Sequence, residues 1–255
     1  HPASNDDLWQ LDFQGHLPVT TPSGTRCHPL TVLDDHSRFA LGIVACADEQ
    51  TATVQAALTS LVRQYGLPRR LLCDNGAPWG AGGSALPWTP LVIWLARLGI
   101  AVSHGRPYHP QTQGKAERFH RSLRAEALTA PLTDLSHAQQ VFDTWRQVYN
   151  HERPHEALDG AVPASCYQPR PRLLPDSLPP IVYDATCTVR IVQQHGVIHW
   201  QGHRYHLSKA FVGLPVGLRP SDEAGCWAVY FLDYCLASLD TRTHGVYPVT
   251  NVPRS

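Results

Sequence analysis

Lysine is almost missing from this chain. Of its 21 basic residues only Lys115 and Lys209 are lysines, so arginine carries nearly all the positive charge. Arginine's planar fork suits phosphate oxygens, although a G+C-rich genome produces the same bias. Net charge is missing too, because 21 acidic residues balance the 21 basic ones. That argues against attraction to nucleic acid by overall charge and moves attention to where the charges lie. The seven cysteines include no CxxC pair. Their odd number and irregular spacing argue against a disulfide framework and a zinc ribbon and point to reduced, intracellular thiols. The only long apolar run, 90–102, is short and broken by Arg97, so it is no membrane span. The chain begins at His1 with neither a methionine nor a signal-peptide pattern, which suggests a fragment of a longer protein.

Three carboxylates stand out against this background. Asp12 in WQLDFQG and Asp74 in LLCDNG each end a short apolar run of the kind that forms a buried strand, and Glu117 in HPQTQGKAERFHRSL is expected to begin a helix. Asp and Glu supply the hard oxygens that Mg²⁺ or Mn²⁺ prefers, and three of them on different elements have the capacity for two ions. Around the glutamate the charge is lopsided. Arg97, Arg106, Lys115, Arg118, Arg121 and Arg124 face only Glu117 in that stretch, a local excess of +5. Glu117, Arg121 and Arg124 share one helical face at i, i+4 and i+7, so basic side chains flank the carboxylate.

The pattern predicts strands over Leu8–Phe13, His28–Leu33 and Arg38–Cys46. A helix follows with Val54, Leu58, Leu61, Val62 and Tyr65 on one face and Gly66 at its end. The Asp74 strand comes next, then a Gly/Pro-rich loop over 77–89, a helix over Leu91–Leu98 and a strand over Ile100–Ser103. This order fits an α/β fold, a mixed sheet flanked by helices. A capping-box pattern from Ser136 to Gln139 opens a further helix through Trp145 and Tyr149, both read as core residues. Six prolines within 163–180 suit an extended linker. From about Asp184 short alternating strands with turns at His195-Gly196, Gln201-Gly202 and 222–225 predict a small β domain, most simply a barrel. The expected division is a core over 1–162, a proline-rich linker over 163–183 and the β domain over 184–255.

WQLDFQG, LDDHSRF, LLCDNG, RPYHPQTQGKAERFHRSLRAE and YNHERPHEAL occur in that order and cover roughly residues 7–168. In this the chain resembles DDE-type transposases of bacterial insertion sequences, relatives of retroviral integrases through the integrase catalytic core. The resemblance implies a ribonuclease-H-like fold with Asp12, Asp74 and Glu117 as the catalytic metal triad for two Mg²⁺ ions, Mn²⁺ substituting. It implies double-stranded DNA as partner, a homo-oligomer on paired DNA ends, a bacterial cytoplasmic, nucleoid-associated location, and hydrolysis and strand transfer as the reactions. Arg106, His109, Lys115, Arg118, Arg121 and Arg124 are the candidate DNA contacts. The spacing of 43 positions between Asp74 and Glu117 is several more than retroviral integrases use, with the excess assigned to the loop over 77–89. No helix-turn-helix or His/Cys zinc module precedes Asp12. Two other readings remain open at this point: a nuclease of the same fold that cuts without joining, and a non-catalytic DNA-binding remnant.

Several residues invite over-reading. Asp34 and Asp35 are adjacent carboxylates that alternate between faces of a strand, so a turn role is the simpler expectation. His104 and His109 have zinc-like spacing, but no helix or cysteine supports a site. His109 could instead meet substrate phosphate or water. Asn150, Arg153 and His155 fit either packing or DNA contact.

Overall fold

The computed structural model describes residues 7–20, 26–80, 86, 88–104 and 110–249, with side chains from 114 onward in the last stretch. The chain divides into two compact units, one formed by 1–79 with 98–176 and the other by 80–97 with 177–255.

The elements run β1 (Leu8–Phe13), β2 (Leu17–Pro18), β3 (Arg26–Asp34), β4 (Ala40–Cys46), α1 (Thr51–Tyr65), β5 (Arg70–Cys73), α2 (Pro90–Arg97), β6 (Ala101–His104), α3 (Pro110–Ala127), α4 (Leu135–His151) and α5 (Pro163–Cys166). All but α2 belong to the first unit. Its sheet is mixed. β3 pairs antiparallel with both β1 and β4, whereas β5 pairs parallel with β1 and β6, and the short β2 joins the first residues of β3. β3 is buried along almost its whole length, so its sequence does not alternate between apolar and polar residues as a half-exposed strand's would. Helix α1 buries Val54, Ala57, Leu58, Leu61 and Val62 as one stripe. It ends at Gly66, where φ is +83° and an added Cβ would stand 2.3 Å from the Arg170 carbonyl oxygen, so only glycine fits.

Helix α4 covers the outer edge of β4 and satisfies its backbone with side-chain amides. Asn150 accepts from the Ala40 N–H at 2.8 Å and donates to its carbonyl at 3.0 Å, while Gln139 accepts from Ala45 N–H and donates to the Ile43 carbonyl. An edge strand that would otherwise invite pairing is thereby closed. Asn150 thus has a packing role. The expected capping box is displaced: Asp134 caps the helix by accepting from His137 N–H at 2.8 Å, and Gln139 is engaged with β4. Phe119 of α3 meets Trp145 and Tyr149 of α4 edge-on, with ring centroids 5.3 and 4.9 Å apart. These aromatics join Leu33, Ile43 and Phe142 in one buried cluster.

The prolines after α5 do not leave the stretch free. Tyr167 stacks on Phe39 at 4.4 Å, Arg170 pairs with buried Asp34, and Arg172 donates to the carbonyls of Pro68 and Leu98. Residues up to 176 therefore lie along the first unit.

In the second unit β7 (Thr188–Ile191), β10 (Pro215–Pro220), β11 (Cys226–Phe231), β12 (Tyr234–Asp240) and β13 (Gly245–Pro248) form an antiparallel sheet in the order β13-β12-β11-β10-β7. β8 (Val197–Trp200) and β9 (His203–His206) form a separate hairpin. Its turn at Gln201-Gly202 has both φ values positive, the backbone that a two-residue hairpin loop needs. The core of this unit takes in residues that the sequence suggests are loop. Trp88 packs against Phe211 and Phe231, and Leu86, Ile93 and Ala96 share the cluster. Among the described residues no helix is long and apolar enough to cross a membrane. All seven cysteines are free thiols.

Candidate metal and DNA site

Strand register brings two of the carboxylates together. Leu8, Trp9 and Gln10 of β1 lie opposite Arg70, Leu71 and Leu72 of β5. The same offset of 62 positions sets Asp74, one residue past the end of β5, level with Asp12. Parallel partners in register point to the same face and stand about 4.8 Å apart. Asp74 closes its own turn, accepting from Gly76 N–H at 3.1 Å, and its carbonyl is held by His104 Nδ1 at 2.7 Å.

Glu117 comes from above that face on α3. The helix begins at Pro110, so Glu117 stands two turns inside it rather than at its start. What fixes α3 on the sheet is a set of bonds three and seven residues further along. His120 Nε2 lies 2.8 Å from Thr31 Oγ1, and Thr31 is the cross-strand partner of Asp12. The His120 carbonyl accepts from Gln14 Nε2, and Arg124 donates to the Gln14 carbonyl at 2.9 Å. Glu117, His120 and Arg124 lie on one side of the helix at i, i+3 and i+7. Anchoring the last two therefore aims the first at the sheet face that carries Asp12.

The electrostatics agree with this convergence. Burial raises the pKa of Asp12 to about 6, and the charges of Asp74, Glu117 and Glu49 add to the effect against a lowering hydrogen bond from Phe13 N–H. His120 Nδ1 is 3.7 Å from Asp12 Oδ2. Burial and the neighbouring Arg124 push His120 down to about 4, so this contact is that of a neutral imidazole and not an ion pair. The Thr31 hydroxyl has one proton, and both the Asp12 carbonyl and His120 Nε2 are within reach. Donated to that carbonyl, which can only accept, the proton leaves Thr31 Oγ1 to accept from His120 Nε2–H. Among the described residues no three donors stand as a closed metal-ligand cluster. The donor set itself, all hard oxygen, fits a divalent cation.

The expected DNA contacts separate into two groups. Arg121 and Arg124 line a cavity of about 520 Å³ with Glu117 and His120. Lys115 and Arg118 line another, and Lys115 is already paired with Asp35 at 2.7 Å. Arg106 and His109 lie outside the described residues. Asp34 is a turn residue, 2% exposed, accepting from Ser37 N–H and Oγ. His120 is the site residue that sequence reading passes over, although its position three after Glu117 placed it on the same face.

Two models described as integrase core domain match residues 98–163 and 2–110, and one described as IS481 family transposase, C-terminal domain, matches residues 187–247. The chain thus carries integrase core domain sequence over 2–163 and an IS481-family transposase C-terminal domain. Similar to this chain is the insertion element IS407 uncharacterized 31.7 kDa protein of Burkholderia multivorans, 29% identical over 164 residues that are 64% of this chain and 56% of that protein. The insertion element IS476 uncharacterized 39.2 kDa protein of Xanthomonas euvesicatoria is 28% identical over 160 residues, 62% of this chain and 43% of that protein. The chain spans about half the length of these relatives. Among solved structures, a chain of the simian T-cell lymphotropic virus intasome in complex with PP2A regulatory subunit B56 gamma superposes with a TM-score of 0.51 at 15% identity, covering 89% of this chain and 76% of that one. The first unit is accordingly a mixed α/β integrase-core, ribonuclease-H-like fold, followed by a separate antiparallel β domain.

Proposed function

We propose that this chain is the catalytic part of a DNA transposase that hydrolyses phosphodiesters at transposon ends and transfers the resulting 3′-OH into target DNA. The observation that carries the reading is the convergence of Asp12, Asp74 and Glu117, expressed in the raised pKa of Asp12. These three residues would hold two Mg²⁺ ions, or Mn²⁺ in their place. Such ions supply activation of the attacking oxygen and stabilisation of the leaving one. Asp12, midway in register between Asp74 and the α3 anchor at Thr31, would serve both ions, and Asp74 and Glu117 one each. His120, neutral and tied to Thr31, holds α3 against the strand beside Asp12 without neutralising the carboxylate. Arg121 and Arg124, beside Glu117, would hold DNA phosphates as charge-assisted partners. Closure of the second unit into a DNA-holding barrel, and assembly of several copies on paired ends of double-stranded DNA at the bacterial nucleoid, belong to the same proposal.

The test is Mn²⁺-dependent resolution of a branched DNA that mimics the strand-transfer product, because this reverse reaction asks least of end recognition. Wild type is expected to resolve it and Glu117→Gln to lose all turnover while keeping its fold. Turnover near the wild-type rate in Glu117→Gln refutes the assignment.

A further inference from the structure

Helix α3 carries its basic side chains on two flanks. At 100° per residue, the directions of Lys115, Arg118 and Ser122 lie roughly 120° around the helix from those of Glu117, Arg121 and Arg124. The first set does not line the cavity beside Glu117 but a second one, of about 390 Å³, closed on its other side by the YNHERPHEAL segment. Four cations converge there, Arg38, Lys115, Arg118 and Arg153, with His155 among them and Glu156 as the one acid of the lining. Phe119 and Tyr149 supply apolar wall.

Three of these cations have partners. Arg38 and Lys115 share Asp35, and Arg153 pairs with Glu126. Among the described residues Arg118 makes no hydrogen bond or ion pair. Nε2 of His155 is buried and has no hydrogen-bond partner there either. Its ring is fixed edge-on to Tyr149 at 4.8 Å. Burial, followed by the charges of Arg153, Arg38 and Arg118, holds the His155 pKa below its ordinary value. Arg38 has a φ of +61°, a left-handed conformation that costs an arginine about 1 kcal/mol and is kept where surrounding structure enforces it. An unpartnered guanidinium, an orphaned imidazole nitrogen and surplus positive charge in a cavity of ligand size describe a site for an oxyanion.

We propose that this cavity binds a phosphate group of the DNA backbone, at a site separate from the acidic triad. Arg118 supplies the fork, His155 Nε2 a further hydrogen bond, and Arg38 and Arg153 the field. The volume exceeds that of phosphate alone and leaves room for the adjoining sugar against Phe119 and Tyr149, which favours a DNA-borne group over the free ion. Only the choice of carrier rests on the transposase reading. The consequence for that reading is that α3 touches DNA on two sides, with the triad on one of them.

The experiment uses the full chain in EDTA, so that metal binding plays no part. Titration with inorganic phosphate, and the salt dependence of binding to a 30-base-pair duplex by fluorescence anisotropy, are measured for wild type, Arg118→Ala and His155→Ala. Arg63→Ala, at the end of α1, is the control, and circular dichroism checks each fold. Loss of one phosphate contact lowers the slope of log Kobs against log salt by about 1. That decrease is expected in Arg118→Ala and not in Arg63→Ala, with phosphate affinity down about tenfold in Arg118→Ala and His155→Ala. Unchanged slope and unchanged phosphate affinity in both pocket variants overturn the proposal, while leaving the transposase reading intact if wild type still resolves branched DNA. Phosphate binding lost in both variants, from a wild type that binds no duplex, keeps the oxyanion site, assigns it to the free ion and overturns the transposase reading instead.

Discussion

Replacing Asp12 with asparagine is expected to make the protein more stable while removing its activity. The carboxylate has a folded pKa of about 6 against an ordinary value of 3.8, which corresponds to roughly 3 kcal/mol of penalty on the ionised form. The Asp12 side chain is 42% exposed, so solvent screening reduces this to about 1.5 kcal/mol. The sign follows from linkage. Below the unfolded pKa the group is protonated in both states and contributes nothing. As pH rises from about 4 through 6 the unfolded chain ionises at no cost, the folded one against burial and its acidic neighbours, and stability falls by that amount. Asparagine does not ionise, and its amide oxygen can keep the bond from Phe13 N–H. The variant should therefore melt about 3–6 °C above wild type at pH 8, with the difference shrinking to zero near pH 4. Differential scanning fluorimetry across that range measures it. Addition of Mg²⁺ should raise wild type toward the variant and leave the variant unmoved. A variant that melts at or below wild type at pH 8, or a difference independent of pH, refutes the claim that these carboxylates converge on Asp12.

Other expectations concern the supports of the site. Asn150→Leu leaves the Ala40 N–H without its partner at the edge of β4 and the Ala40 carbonyl with only Arg146 at 3.4 Å, and should cost about 1–3 kcal/mol in urea unfolding. Asp34→Ala removes one of the two carboxylates that pair with Arg170, the other being Asp7. A loss of about 2 kcal/mol is expected, together with faster tryptic cleavage after Arg170 and Arg172 as the segment loosens from the first unit.

The layout of the core was legible because its signals are local or periodic. Buried runs ending in Asp12 and Asp74 marked the central strands, and the stripe through Val54, Leu58 and Leu61 marked α1. The basic face of α3 was visible by spacing, but its division between two cavities was not, since that depends on what packs against each flank. The start of α3 was obscured by Thr112 and Gly114, poor helix formers, although Pro110 is a favoured first residue. At α4 two capping patterns overlapped, and Asp134 took the cap because Gln139 finds partners on β4. The part played by His120 is tertiary: it exists only because β1 and β3 are in the register that sets Thr31 beside Asp12. Nothing local distinguishes Trp88 in a Gly/Pro-rich stretch from an exposed loop tryptophan. Its partners Phe211 and Phe231 are more than a hundred residues away.

The excursion of residues 80–97 has a thermodynamic consequence of its own. The polypeptide leaves the first unit after β5, completes the core of the second with Trp88 and Ile93, and returns immediately before β6. The smaller unit is thus stitched into the chain by an internal loop as well as by its own length. If that unit melts first, it does not simply hang off as a tail. It releases a closed loop whose two ends are neighbouring strands, one of them delivering Asp74. Keeping those ends together then carries the entropy cost of a floppy loop, which grows with its length. The path of the chain thus links the melting of the smaller unit to the two strands, β5 and β6, from which its internal segment departs and to which it returns.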